Sequence, residues 1–254
     1  MGFKAYSGTG TVYMRPVDSA GVPTGNFLPV GDAYPLSCQV QTDQVKVKSR
    51  RVETAGQIIA SKNEITDTSG NLTLHEWNAA NLAWALAGGY TARTASSGTV
   101  AAEAVTAGAV GEYVELAHPD VSSVVVKDVS DVTTYVEGTD YSVDAKLGMI
   151  TILDGGSITA ADVLHIDYSY AAEAGYRVEI GTDAQIRVEI KAHLYNEFAD
   201  KHLKIELDSV VLAASSEINF ISEAGSEGEQ LQFSMTLETV SGNTSPGRVD
   251  GIEM

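Results

Sequence analysis

Alternation of apolar and polar residues runs through most of the chain, in short stretches near residues 9–16, 44–52, 112–116, 122–126, 140–143, 149–153, 163–170, 176–180, 185–191, 202–207 and 231–237. A period of two is that of a β-strand with one face toward a core and the other toward solvent. Within 163–170, Leu164, Ile166, Tyr168 and Tyr170 fall on one face and His165, Asp167 and Ser169 on the other. Between the stretches lie dense turn formers, such as residues 18–25 and Asp154-Gly155-Gly156. Pro35 interrupts an otherwise strand-like segment at 27–40, which predicts an edge strand or a bend there.

One segment breaks the period. Residues 77–89 carry Ala79, Leu82, Ala83 and Leu86 at helical spacing, with Asn78 placed as an N-cap and Gly88 as a C-cap. Trp77 and Leu82 are spaced for a hydrophobic staple across the first turn. The predicted helix has about two to three turns, too few to stand alone in water, so it must dock on a sheet.

These elements predict a mainly β protein: two packed antiparallel sheets, sandwich- or barrel-like, with one short flanking α-helix and a small inserted β module. The main domain comprises residues 1–90 and 176–254. Residues 91–111, rich in Ala, Thr, Ser and Gly, read as a flexible arm or loop, and 112–175 as the inserted sandwich-like module. Residues 241–247 read as a loop or mobile tail.

No stretch approaches the roughly 18 to 20 apolar residues that span a bilayer, and the first residues carry no apolar signal region, which predicts cytosolic synthesis and no membrane partner. The single cysteine, Cys38, excludes an intrachain disulfide and is expected to be buried and inert. Formal charge sharpens the picture: −18 overall, but +2 over residues 1–60 against −10 over 91–175 and −8 over 193–254. An acidic chain is a poor nonspecific ligand for nucleic acid. A weakly basic region and two acidic ones can complement each other between copies.

The basic positions concentrate in one strand, where Lys46 and Lys48 alternate with Val45 and Val47 and run into Arg50 and Arg51. Without interleaved aromatics this run points to a half-buried strand with a cationic outer face. Lys46, Lys48, Arg50 and Arg51 are therefore the candidate inter-subunit contacts.

Catalytic, metal and cofactor chemistry find no pattern. Five His residues include no H-E-x-x-H, and Asp128, Asp131, Asp140 and Asp144 lack the register of a calcium loop. Gly8-Thr-Gly10 lacks the third glycine of a dinucleotide fingerprint, and Gly225-Ser-Glu-Gly228 lacks the spacing of a nucleophile elbow. No enzyme activity, cofactor or metal is expected.

The segments Gly10-Thr-Val-Tyr-Met, Phe27-Leu-Pro-Val-Gly-Asp, Val45-Lys-Val-Lys with Arg50-Arg51, and Leu72-Thr-Leu-His-Glu running into Asn81-Leu-Ala-Trp-Ala-Leu-Ala-Gly together resemble the major tail tube protein of long, noncontractile-tailed (siphovirus-type) bacteriophages. The resemblance covers residues 8–89 and, more loosely, 176–240; the block 112–170 departs from it. It implies a structural virion protein whose six copies form a ring, with rings stacked into a tube through which DNA is ejected without specific binding. Six chains at −18 each give −108 per ring, which would keep DNA from sticking to the wall. Implied partners are further copies of the chain and other tail proteins (tape measure, tail terminator, distal tail), in a virion tail assembled in the host cytoplasm. A capsid decoration or baseplate protein, a secreted pilus or adhesin subunit, and a carboxylate-based carbohydrate enzyme are the competing readings.

Overall fold

A computed structural model describes residues 5–221 and 228–252, arranged as two units, one of residues 5–91 with 177–221 and 228–252 and the other of 92–176. In chain order the elements are β1 (Gly8–Pro16), β2 (Leu28–Pro29), β3 (Ala33–Lys48), β4 (Ile58–Leu74), α1 (Ala79–Ala85), β5 (Tyr90–Ala95), β6 (Gly98–Thr106), β7 (Val114–Glu115) and β8 (Val121–Asp128). They continue with β9 (Tyr141–Asp144), β10 (Met149–Ile152), β11 (Val163–Tyr170), β12 (Glu173–Val178), β13 (Ile186–Asn196), β14 (Lys201–Ala214), β15 (Leu231–Leu237) and β16 (Gly247–Ile252). The mainly β, antiparallel architecture with one short helix agrees with the sequence.

In the first unit eight strands form one sheet in the order β2-β1-β13-β14-β15-β4-β3, with β16 added to β14. Inward-facing residues of each strand supply the core: Met14, Leu72, Leu74, Val188, Ile190, Leu231, Phe233 and Met235 are all essentially inaccessible to solvent. Val12 of β1 and Leu36 of β3 come from near opposite ends of the strand order yet pack on the same core, so the sheet curls upon itself without closing.

Helix α1 caps this core. Asn78 accepts the Asn81 N–H at 2.9 Å, as an N-cap should. The buried residues are Ala80, Asn81, Ala83, Trp84 and Ala85; of the stripe Ala79, Leu82, Ala83 and Leu86 that the spacing suggested, only Ala83 is buried. Asn81 sets this rotation. Fully buried, it donates to the carbonyls of Val30 at 2.9 Å and Glu76 at 2.8 Å and so turns a polar position inward. At the other end Gly88 N–H donates to Ala83 O and Ala87 N–H to Trp84 O, the paired bonds of a Schellman motif. The left-handed residue there is Ala87 (φ 51°). Gly88 serves a different need, since a Cβ would meet the Glu179 carbonyl oxygen at 1.7 Å.

The second unit has its own core. Sheet β6-β11-β8 contributes Val105, Val126, Leu164 and Ile166, and sheet β7-β10-β9 contributes Tyr141, Ile150 and Ile152, all to one cluster. The expected flexible arm at 91–111 is replaced by strands β5 and β6 over much of its length. Val105 and Ala107 are buried, and β-branched Thr99, Val100, Val105 and Thr106 suit a strand that finds a partner in β11. The chain enters this unit through β5 and leaves it through β12, which pair with each other. Beyond the loop at 241–246, the stretch that sequence left unassigned forms strand β16 along β14.

Candidate assembly surface

Strands β3 and β4 run to 16 and 17 residues, about three times the usual five or six. Only their first and last parts, near Leu36 and Leu72–Leu74, touch the core. From Ser37 to Lys48 and from Ile58 to Asp67 every residue is exposed, so a two-stranded ribbon projects from the sheet. The half-buried strand expected at 45–48 is thus solvent-covered on both faces. Val45 and Val47 are about half exposed, because β4 is the strand's partner and no element among the described residues lies beneath it.

Register places the side chains. Lys46 lies opposite Ser61 and Lys48 opposite Ile58, on the face that also carries Thr42 and Ile65. The other face pairs Val45 with Lys62, Val47 with Ala60 and Asp43 with Glu64. Asp43 and Glu64 are like charges directly opposed, an unfavourable cross-strand pair; Lys62 relieves it through a 3.0 Å bond to Glu64 Oε1. Val40, Val45, Val47, Ile58, Ile59 and Ile65 are all at least half exposed. A bare hairpin is marginal in water, and this one combines uncovered β-branched residues with an unbalanced charge.

The tip is nevertheless well built. Buried Ser49 donates its N–H to Gln57 O at 2.7 Å, shares a 2.7 Å hydroxyl bond with Thr54 and accepts Gly56 N–H at 3.0 Å. Gly56 supplies the left-handed conformation the turn needs (φ 86°). This arrangement points Arg50, Arg51 and Val52 outward, with Val52 98% exposed. All four sequence candidates therefore lie on the ribbon, Lys46 and Lys48 on one face and Arg50 and Arg51 at the tip. None of the four makes an ion pair with a described residue. Residues 44–62 hold five Lys or Arg against one Glu, +4, which leaves −22 for the rest of the chain. The exposed isoleucines of β4 are not among the sequence candidates: residues 57–60 and 64–66 read as strand with a turn at 68–71, where β4 instead runs on to Leu74.

Cys38 sits on this edge strand and is exposed, not buried as expected, because the core ends at Leu36. Elsewhere the ionisable groups serve the fold. Asp140 accepts the N–H groups of Val136 and Ser157, and Asp128 accepts the Ser130 hydroxyl and the N–H groups of Thr133 and Val132; both carboxyls are held below their usual range by these bonds. No group of three or more His, Cys, Asp or Glu among the described residues converges as metal ligands. Part of the Gly225–Gly228 loop lies outside the described residues.

Glu206 is the most perturbed carboxylate of the first unit. Almost inaccessible on the solvent-side face of β14, it is ringed by Lys204 at 2.7 Å, Lys191 at 3.3 Å and Arg248 of β16. The Lys204 hydrogen bond, followed by those of Lys191 and Arg248, lowers its pKa to about 2 against the opposing effect of burial. Because the folded value lies below the unfolded one near 4.5, this stabilisation is complete above about pH 4.5 and is lost as pH falls toward 2. Glu206→Gln is expected to flatten that part of the acid unfolding profile. An unchanged acid limb, measured by circular dichroism, would show that the three cations do not hold the carboxylate in solution.

Among known proteins, the chain is 43% identical over 70 residues to a protein named "Tail sheath protein" from Burkholderia phage BcepMu. That match covers 27% of this chain and 15% of the relative's length. A family model described as "Protein of unknown function UCP028589" matches residues 5–247, nearly the whole chain including both units and the ribbon. The chain belongs to this family.

Proposed function

We propose that the chain is a structural protein of a phage tail, without catalytic activity, whose copies assemble into six-membered rings stacked as the tail tube, the channel for DNA ejection. The observation that carries this reading is the ribbon: a preformed, cationic, β-branched arm on an acidic body is half of a contact between copies. Free sheet edges on β3 and on the outer side of β16 offer further places for strands of neighbouring copies to pair. The partial likeness to a phage tail sheath protein supports a tail role. Its partners in this reading are further copies and other tail proteins, and the acidic wall lets DNA pass without specific binding. Assembly takes place in the host cytoplasm and the product resides in the virion tail.

Negative-stain electron microscopy across a concentration and salt series, with mass in solution measured in parallel, tests it. Hollow tubes or stacked six-fold rings are the expected result. A discrete trimer would instead favour a capsid decoration or baseplate protein. The name of the partial relative motivates a second reading, a protein that covers a tube rather than forms one; that protein would assemble only when a preformed tube is supplied.

A further inference from the structure

At the root of β3, far from the tip, the first unit carries a groove of about 640 Å³. It lies where the curl of the sheet brings the start of β1 beside the start of β3 without hydrogen-bonding them. Its floor is apolar, from Val12, Leu36 and Leu194, and its rim carries Tyr6 and Tyr34, 57% and 73% exposed. Asp32 supplies a carboxylate to one wall, and no Lys or Arg among the described residues lines the groove. That wall is held in place before anything binds. His75 donates its backbone N–H to Asp32 O at 2.9 Å, its Nε2 lies 2.9 Å from Tyr34 O, and Asp32 N–H donates to Glu76 Oε1 at 3.2 Å.

We propose that this groove receives the ribbon tip of a second copy. Val52, which no described residue of its own chain covers, rests on the apolar floor. Arg50 and Arg51 lie against Asp32 and over the rings of Tyr6 and Tyr34, the two kinds of partner that a guanidinium accepts best. Volume and charge both fit: the groove falls in the range of about 300–1,000 Å³ typical of sites that enclose a compact group, and its carboxylate wall faces a tip whose two arginines outnumber its one carboxylate, Glu53, and form no ion pair with a described residue. The chain's own tip is excluded by distance, because the 16 residues of β3 at about 3.3 Å each put tip and groove on the order of 50 Å apart. Tip and groove are different surfaces, so the contact is heterologous and repeats from copy to copy as a ring or filament. This inference rests on the self-assembly reading and adds where the contact falls and an upper bound of about 50 Å on the repeat it spans.

The test uses full-length chains in a Cys38→Ser background, one carrying Val52→Cys and the other Thr9→Cys at the groove. Mixed and mildly oxidised, they are expected to form an intermolecular disulfide visible on a non-reducing gel. The yield should fall at least tenfold with Arg50→Glu and Arg51→Glu, and recover in part when Asp32→Lys is placed in the groove chain. A yield no higher than with exposed Val22→Cys in place of Thr9→Cys, or one indifferent to charge reversal, overturns the docking. Tubes without the cross-link overturn the docking alone; the charge-dependent cross-link without tubes retains the docking and overturns the tube. Neither tubes nor cross-link overturns both.

Discussion

Replacing residues 40–68 with Asn-Gly, so that a tight hairpin turn joins Gln39 to its opposed partner Ser69, is expected to yield a folded chain that no longer assembles. The removed residues lie outside both buried clusters, so none of the core contacts is lost. Asn-Gly suits the two-residue turn that closes an antiparallel pair. What disappears is every candidate contact, Lys46, Lys48, Arg50 and Arg51, together with the exposed valines and isoleucines around them. The far-ultraviolet spectrum should keep its β signature and thermal unfolding should remain cooperative, while sedimentation shows a monomer at concentrations where the intact chain forms higher assemblies. Assemblies of unchanged form would mean that the ribbon is not the contact. Loss of cooperative unfolding would mean that it stabilises the sheet.

The largest loss of stability is expected from Phe233→Ala. Phe233 sits on β15 opposite Leu72 and Ala214, 1% exposed, with Met235 and Leu231 flanking it on the same face. Emptying such a site removes the transfer free energy of the ring and leaves a cavity, together about 3–5 kcal/mol. Domains of this kind have only about 5–15 kcal/mol in all, so denaturant midpoints should fall steeply. Val47→Ala makes the contrast, since an exposed ribbon residue should shift stability by no more than about 0.5 kcal/mol. Equal shifts for the two would mean that the inward face of β15 is not the centre of the core. A large Phe233→Ala effect with intact assembly at low temperature would separate folding from association.

The sequence by itself determined the class of the fold. Alternation at 186–190 and 231–237 marks residues that later prove buried, because a strand packed on one side must repeat every second residue. It also determined the ends of the helix. The cap at Asn78 and the termination near Gly88 are local hydrogen-bond problems, solved by residues within a few positions. The basic run was legible as a surface for the same reason: four cations within six residues cannot be buried.

Only the tertiary structure decided which face of the helix turns inward, since the Val30 carbonyl that draws Asn81 to the core, alongside that of nearby Glu76, comes from a distant part of the chain. It decided that 91–111 is largely strand, because small and β-branched residues take extended order only when a partner such as β11 is there to bond them. It decided that Val45 and Val47 are uncovered. Alternation records which side of a strand is apolar, but whether another element lies against that side depends on strand order and length. The groove at the root of β3 was invisible for the same reason, being made by residues from the start of β1, the start of β3 and the end of β13, which only the curl of the sheet brings together.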